Sequence, residues 1–160
     1  MRSVLVTGGT TRLGLAIAGR LRSSGWRVVT SSHRADAGAD LVADLSDPLG
    51  AARLYAQCLR LLGGNPPDAL VNNACLSRGG LENCGWDDFN YVLRVGVSAP
   101  FYLTQRLRPA FAPGASIVNI ASTRAFMSQA NTESYTAGKG GIAALTHGLS
   151  VTLAGQARVN

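Results

Sequence analysis

Tyr135 and Lys139 are the residues of this chain whose types and spacing could carry acid–base chemistry. They lie four positions apart in a helical pattern, so their side chains share one face, about 6 Å apart along the helix axis. An ammonium at that distance stabilises a phenolate, which allows a tyrosine to exchange a proton at neutral pH. Ser122 precedes Tyr135 by thirteen residues, at the end of an apolar run, and its hydroxyl could bond the same substrate oxygen. The three residues predict proton transfer at a substrate oxygen, although a Tyr-x-x-x-Lys pair alone also fits a surface tyrosine beside a solvated lysine.

The N-terminal segment carries a second chemical signal, a glycine-containing turn between a strand and a helix. An apolar strand at residues 3–6 leads into the turn, and an amphipathic helix and a second strand follow, which is the order of a βαβ unit. Glycines at such a turn let the backbone approach a pyrophosphate, and the helix N-terminus offers free N–H groups and a partial positive charge. The residues expected to bind a dinucleotide here are Gly8, Thr10, Thr11, Arg12, Leu13 and Gly14.

The turn and the spacing of Ser122, Tyr135 and Lys139 together resemble the short-chain dehydrogenase/reductase family. The resemblance implies hydride transfer between a nicotinamide cofactor and a small-molecule carbonyl, alcohol or imine-like substrate. It also implies the role of each residue: Tyr135 is the acid or base, Lys139 binds the nicotinamide ribose, and Ser122 orients and polarises the carbonyl. The cofactor would supply the hydride, and the protein would supply position and charge.

Basic residues around the turn predict which nicotinamide cofactor is used. Arg12 stands where the family's middle glycine falls, as in the Thr-Gly-x-x-x-Arg-x-Gly loop of pteridine reductase-like members, which use NADPH. The second strand ends at Ser32, His33 and Arg34 with no carboxylate before Asp36, whereas NAD-binding sites usually carry an acid there. Arg12 and Arg34 could clamp a 2′-phosphate, with Ser32 as a further donor.

These residues favour NADP(H) and leave NAD(H) open as the second choice. The alternative interpretation of Arg12 is a turn that merely tolerates an arginine. His33 fits a surface histidine better than a cofactor ligand.

Two further segments are assigned to the cofactor by the resemblance. Asp44 and Leu45 match the family's Asp-hydrophobic pair at the adenine, although an aspartate there could also cap a helix. Asn73 and Ala74 belong to a run that resembles Asn-Asn-Ala-Gly and are expected to line the cofactor site. Cys75 replaces the glycine of that run, and a sharp backbone turn at this position would then cost about 1 kcal/mol of strain.

Gly96 is the clearest departure from the family. It stands where many members have an asparagine that holds a water in the proton relay, so the relay is expected to run differently or activity to be reduced. Glycine inside a helix also costs about 1 kcal/mol relative to alanine. This departure motivates a second hypothesis, a non-catalytic dinucleotide-binding module.

The order of strand and helix patterns predicts a doubly wound α/β fold with a parallel sheet. Strands are expected at residues 3–6, 27–30, 39–43, 68–71 and 116–121, with a helix at 86–107 that breaks near Pro100. By resemblance this is a Rossmann fold with strand order 3-2-1-4-5. A length of 160 residues, with 46% hydrophobic and 15% charged residues, indicates a single domain over residues 1–160.

The last residues, 157–160, resemble the family's entry into a sixth strand. A family domain normally continues well beyond this point, so strands six and seven are expected to be missing. The fifth strand would then be an exposed hydrophobic edge, which favours aggregation. The sequence therefore suggests an incomplete version of a longer protein.

Composition argues against several classes of partner. The net charge is +6, but the fifteen basic residues are scattered without a basic run, which disfavours nucleic acid. No apolar run reaches the length of a membrane span. Cys58, Cys75 and Cys84 are odd in number and lack metal-site spacing, which fits a reduced, cytoplasmic protein without a metal. The expected partners are a small-molecule substrate and, by resemblance, further copies of the chain in a homodimer or homotetramer.

Overall fold

Six parallel strands form one sheet in the computed structural model, which describes residues 1–160. The strands are β1 (Ser3–Thr7), β2 (Arg27–Ser32), β3 (Leu41–Val42), β4 (Ala69–Asn72), β5 (Ala115–Asn119) and β6 (Ala157–Val159). They are arranged in the order β3-β2-β1-β4-β5-β6. The predicted parallel sheet and the 3-2-1-4-5 order are confirmed, and β3 is shorter than the predicted segment 39–43.

Helices cover both faces of the sheet. They are α1 (Arg12–Ser23), α2 (Pro48–Leu61), α3 (Trp86–Leu93), α4 (Ala99–Leu107) and α5 (Glu133–Thr152). Successive strand residues point to opposite faces, and the buried residues divide accordingly. Leu5, Leu70 and Ile117 belong to one cluster with residues of α2 and α4. Val6 and Val71 pack with α1 in a second cluster, so the sheet is buried on both sides as a doubly wound fold requires.

The long helix predicted for residues 86–107 is interrupted, as expected, but before the proline rather than at it. A π-helical turn, Arg94–Ser98, separates α3 from α4. Pro100 has no amide hydrogen to donate to the carbonyl of Gly96, so the regular hydrogen bond between these residues cannot form. The local change of winding accommodates the missing donor.

The prediction that the sixth strand would be missing is wrong. Residues Ala157 and Val159 pair with Ala115 and Ile117 of β5, and the amide of Asn119 donates to the carbonyl of Asn160 at 2.7 Å. Three residues suffice because Ala157 and Val159 also pack against the main core. The edge of β5 is therefore covered along its length, and a seventh strand is not part of the sheet.

The three cysteines are free and differ in accessibility: Cys58 is buried in α2, Cys84 is half-buried and Cys75 is exposed. Burial raises the pKa of the Cys58 thiol to about 12, and the positive charge of Arg27 offsets only part of this effect. No three His, Cys, Asp or Glu side chains lie close enough together to hold a metal ion. None of the helices combines the length and apolar character that crossing a bilayer would need.

We expect Cys58 to be inert toward dithionitrobenzoate in the native protein, because the thiolate is the reactive form and burial suppresses it. Native protein should release two equivalents of chromophore at neutral pH, from Cys75 and Cys84, and three in guanidinium chloride. The absorbance of the released thiolate measures both. A third equivalent released from native protein as fast as the first two would contradict this prediction.

Candidate active site

A cavity of about 870 Å³ opens where the strands end at their carboxyl edges, the usual ligand position in a parallel sheet. It reaches from the β2 end to α5, and all the residues predicted to bind the cofactor line it. These are Gly8, Thr10, Thr11, Arg12, Leu13, Gly14, Ser32, His33, Arg34, Asp44, Leu45, Asn73, Ala74, Tyr135 and Lys139. The fold thus brings residues that the sequence distributes from position 8 to position 139 around one cavity.

The glycine turn is anchored to the end of β4 by a network of hydrogen bonds. Thr7 is 2% exposed, and its hydroxyl accepts from the amides of Asn73 and Ala74, each at 3.1 Å. The Asn73 side-chain amide donates back to the carbonyls of Thr7 and Gly8 at 3.0 Å. Sequence reasoning did not assign this bracing role to Thr7. A threonine at the end of one strand, with asparagines at the end of another, could have indicated it.

Gly14 is required by close packing at the start of α1. A Cβ there would overlap the carbonyl oxygen of Gly8 and lie 2.5 Å from the side-chain nitrogen of Asn73. Thr11 precedes α1 without a side-chain capping bond, and no acidic residue lies in the first turn. The helix N-terminus therefore keeps its positive potential toward the cavity.

Arg12 occupies the left-handed backbone region, with φ of 46°. A glycine adopts this conformation freely, whereas a residue with a side chain carries a cost of about 1 kcal/mol. The side chain is exposed on the cavity wall, and none of the ion pairs in the structure includes it. Arg12 thus offers an unpaired guanidinium at the price of local backbone strain.

The end of the cavity near β2 differs from the sequence-based expectation in one respect. Arg34 is not free: its Nε and Nη2 bond to Asp36 at 3.0 and 2.7 Å. The buried Ser32 hydroxyl accepts from the amide of Arg34 at 3.1 Å. His33 is exposed.

Asp44 lies on the cavity wall and does not cap a helix. Its carboxylate accepts from the amide of Ser46 at 2.8 Å in a tight turn. The cap of α2 is Asp47, whose carboxylate accepts from the amide of Leu49 at 3.0 Å. The helix-capping alternative for Asp44 is therefore wrong.

Lys139 and Tyr135 lie together on α5 at the other end of the cavity. The Lys139 side chain is 4% exposed, and Nζ lies 5.6 Å from the centre of the Tyr135 ring. Nζ donates to the carbonyl of Ile120 at 2.5 Å and has no carboxylate partner among the ion pairs. A buried ammonium with a single protein acceptor retains donors for a polar ligand.

Ser122 does not line the cavity with the other two catalytic candidates. Its hydroxyl oxygen accepts from the amide of Arg124 at 3.2 Å and so caps the short 3-10 turn Thr123–Ala125. The hydroxyl proton is not engaged by this contact. The structure therefore brings Tyr135 and Lys139 together and leaves Ser122 outside the residues that line the cavity.

Ser134 is a functional candidate that sequence reasoning missed. It is 0% exposed, accepts from the amide of Arg78 at 3.2 Å and donates to the carbonyl of Gly79 at 2.6 Å. These bonds attach the loop after β4 to the start of α5, one residue before Tyr135. No periodic pattern in the sequence marks such a contact.

Gly96 has no side chain, and a small void lies beside it. The void is lined by Cys75, Tyr135 and Lys139, among others. A Cβ at Gly96 would meet only the Cα of Gly138, at 3.9 Å, so a larger side chain could be accommodated. Cys75 does not have a positive φ, so the condition under which strain was expected at that residue is not met.

A sequence profile of the family described as short chain dehydrogenase matches residues 2–160. This chain belongs to the short-chain dehydrogenase family.

Two relatives match this chain over most of its length. An uncharacterised oxidoreductase of Thermotoga maritima is 32% identical over 93% of this chain. The NADP-dependent (R)-specific alcohol dehydrogenase of Lentilactobacillus kefiri is 30% identical over 86%. The matches span 64% and 61% of these two relatives.

Solved structures confirm the fold. The apo SCOR enzyme of Clostridium thermocellum superposes with a TM-score of 0.91 at 34% identity, over 99% of this chain and 70% of that one. Other structures with the same fold were solved in complex with NADP or NADH.

Replacing Thr7 with valine should destabilise the fold, because the amides of Asn73 and Ala74 would lose their acceptor. The expected loss is about 1–3 kcal/mol in the free energy of unfolding, measured by urea denaturation. Thr152→Val is the matched control: this exposed hydroxyl donates to the carbonyl of Gly148, and its loss should change stability by less than about 0.5 kcal/mol. Equal losses in the two variants would argue against the anchoring role of Thr7.

Proposed function

We propose that the protein is an NADP(H)-dependent oxidoreductase that transfers a hydride between nicotinamide and a small-molecule carbonyl, alcohol or C=N substrate. The observation that carries the proposal is the pairing of Tyr135 with the buried Lys139 in the cavity. The glycine turn lines the same cavity. The relation to NADP-dependent alcohol dehydrogenase supports the reaction class and the cofactor.

The residues of the cavity fit a dinucleotide. Close packing at Gly14 brings the backbone of the turn against the β4 end, and the uncapped start of α1 favours a phosphate. Arg12 and Arg34 would lie toward a 2′-phosphate, and Asp44 and Leu45 would lie toward the adenine. Asn73 and Ala74 would line the middle of the cofactor, and Lys139 would donate to the nicotinamide ribose.

The protein's own part in the reaction is proton transfer and positioning. The nicotinamide cofactor, when bound, supplies or accepts the hydride. Tyr135 donates its phenolic proton to the substrate oxygen in reduction and accepts a proton in oxidation. The charge of Lys139 stabilises the phenolate that this leaves. Ser122 could assist only if its hydroxyl reached the cavity, because it is not among the residues that line the cavity.

A non-catalytic dinucleotide-binding module is the second candidate, and Gly96 favours it. The void beside Gly96 lacks the side chain with which many family members hold a relay water. The intact Tyr135–Lys139 pair favours the enzyme, because a pure binding domain does not need a tyrosine beside a buried ammonium.

We further propose a homodimer or homotetramer in the cytoplasm. The three free cysteines fit a reducing compartment. Phe101 of α4 and Val151 of α5 are large apolar side chains that are exposed in the single chain, and both are available for contact between copies.

Tyr135→Phe should lower the turnover rate at least about a hundredfold, while the dissociation constant of NADPH stays within about twofold of the wild-type value. Only the hydroxyl is removed, so the packing of the ring is kept. Turnover is followed by NADPH absorbance on a panel of ketones and alcohols, and cofactor binding by calorimetry. Tyr102→Phe, on α4 and outside the cavity lining, is the matched control.

These two measurements also separate the candidate functions. Cofactor binding without turnover in the wild-type protein across the panel would favour the binding module. A large loss of NADPH affinity in Tyr135→Phe would contradict the acid–base role.

Arg12→Ala should weaken NADPH more than NADH, because the guanidinium is proposed to bind the 2′-phosphate that only NADPH carries. The expected loss is about tenfold or more for NADPH, the usual size for a lost charge-assisted bond, and about twofold or less for NADH. Calorimetric titration of both cofactors measures the ratio. An equal loss for both would remove Arg12 from 2′-phosphate recognition.

A further inference from the structure

Arg78 lines the cavity together with Tyr135 and Lys139, whose end of the cavity we call the catalytic end. The backbone amide of Arg78 donates to the Ser134 hydroxyl at 3.2 Å, and Ser134 immediately precedes Tyr135 in α5. The same hydroxyl donates to the carbonyl of Gly79 at 2.6 Å. These two bonds fix the backbone of Arg78 beside the start of α5, so Arg78 belongs to the catalytic end.

Two contacts with α3 hold the guanidinium of Arg78. Its Cζ lies 5.3 Å from the centre of the Tyr91 ring, and Tyr91 also lines the cavity. Its Nε lies 3.5 Å from Oδ1 of Asp88. A guanidinium stacked on an aromatic ring is already oriented, so it loses less conformational freedom when it binds a ligand.

The hydrogen-bonding capacity of this side chain is unused within the protein. Arg78 makes one ion pair through Nε, and its only hydrogen bond comes from the backbone amide. Nη1 and Nη2 are therefore available as a fork of donors, the geometry that matches a carboxylate. The side chain is 50% exposed, so a ligand can reach it.

The charge at the catalytic end favours an anion of low charge. Arg78 and Lys139 are the charged residues that line this end, whereas the only carboxylate of the lining, Asp44, follows β3. In the sheet, β3 is three strand positions away from β4, or about 14 Å. Asp88 and Glu133 lie outside the lining and offset part of the positive charge. A mildly positive end suits a monoanionic carboxylate better than a dianionic phosphate.

We propose that Arg78 determines substrate specificity by binding a carboxylate group of the substrate, so that the enzyme interconverts oxo acids and hydroxy acids. This inference rests on the proposed function, because it places the reacting oxygen at Tyr135. In reduction, the carbonyl carbon accepts the hydride of the reduced nicotinamide and the carbonyl oxygen accepts the proton of Tyr135. The oxo acid becomes a hydroxy acid, the nicotinamide is oxidised, and the carboxylate bound to Arg78 is unchanged.

The first measurement is binding without turnover. The protein is saturated with NADP+, which cannot reduce a ketone, and titrated by calorimetry with 2-oxopentanoate, 4-oxopentanoate and 5-oxohexanoate and with the methyl ester of each. The series varies the distance between carbonyl and carboxylate, and each ester keeps the carbonyl and removes the charge. At least one acid should bind about tenfold or more tightly than its ester, the usual size for a charge-assisted hydrogen bond.

Three variants make the outcome specific. Arg78→Met should weaken the binding of that acid, and lower its kcat/KM with NADPH, by about tenfold or more. The values for the esters and the dissociation constant of NADPH should stay within about twofold. Arg78→Lys keeps the charge without the fork and should give intermediate values. Arg106→Met is the matched control, because Arg106 also lies over a tyrosine, 4.8 Å from the ring centre of Tyr102, but outside the cavity.

Several results would overturn the inference and leave the proposed function standing. In one, no acid binds more tightly than its ester, while neutral ketones are turned over. In another, Arg78→Met weakens acid and ester equally. A parallel loss of NADPH affinity in Arg78→Met would make Arg78 a ligand of the cofactor phosphates instead. An equal effect of Arg106→Met would assign the change to net charge.

Failure of the proposed function has a different signature. Binding of the acids that depends on Arg78, with no turnover of any ketone, acid or ester by the wild-type protein, would contradict the proposed reaction. It would still support Arg78 as the carboxylate-binding residue of the cavity.

Discussion

The close contact between the glycine turn and the end of β4 is the constraint on which the rest of the site depends. Gly14 lies so near the carbonyl of Gly8 and the side chain of Asn73 that a Cβ could not be added. At the same junction, the Thr7 hydroxyl accepts from the backbone amide of Asn73, and the Asn73 side chain donates to the carbonyl of Thr7. Because this contact fixes the start of α1 relative to two strands, it also determines where the helix N-terminus and Arg12 meet the cavity.

The opposite end of the cavity depends on a different constraint, the burial of a cation. Lys139 is enclosed by the fold with one carbonyl acceptor, an arrangement that is unfavourable unless a polar partner is present. Ser134 holds the neighbouring loop to the start of the same helix, so the positions of Tyr135 and Lys139 are set by packing on both sides. Burying an ammonium costs folding free energy, and the proposed proton transfer at Tyr135 would use this same charge.

Local sequence patterns predicted much of this architecture. The strand and helix order and the parallel sheet follow from periodicity and from the turn residues, which act over short distances, whereas several of the cofactor candidates came from the family resemblance. The errors have different causes. The sixth strand forms by pairing with β5, a segment distant in the sequence. The bond between Arg34 and Asp36 is local and could have been anticipated, since a single residue separates the two.

The sequence by itself determined which groups are present and in which element each one lies: a tyrosine and a lysine on one helical face, glycines at a strand-to-helix turn, arginines beside it. Local contacts engage two of these groups: Ser122 accepts from the amide of Arg124, and Arg34 is held by Asp36. The tertiary structure decided which groups are buried and which distant segments they contact. Lys139 is enclosed with the carbonyl of Ile120 as its acceptor. Ser134 joins a loop 55 residues away. The physical reason is that residue type and spacing set local conformation, whereas hydrogen-bond partners and burial are set by how distant segments pack.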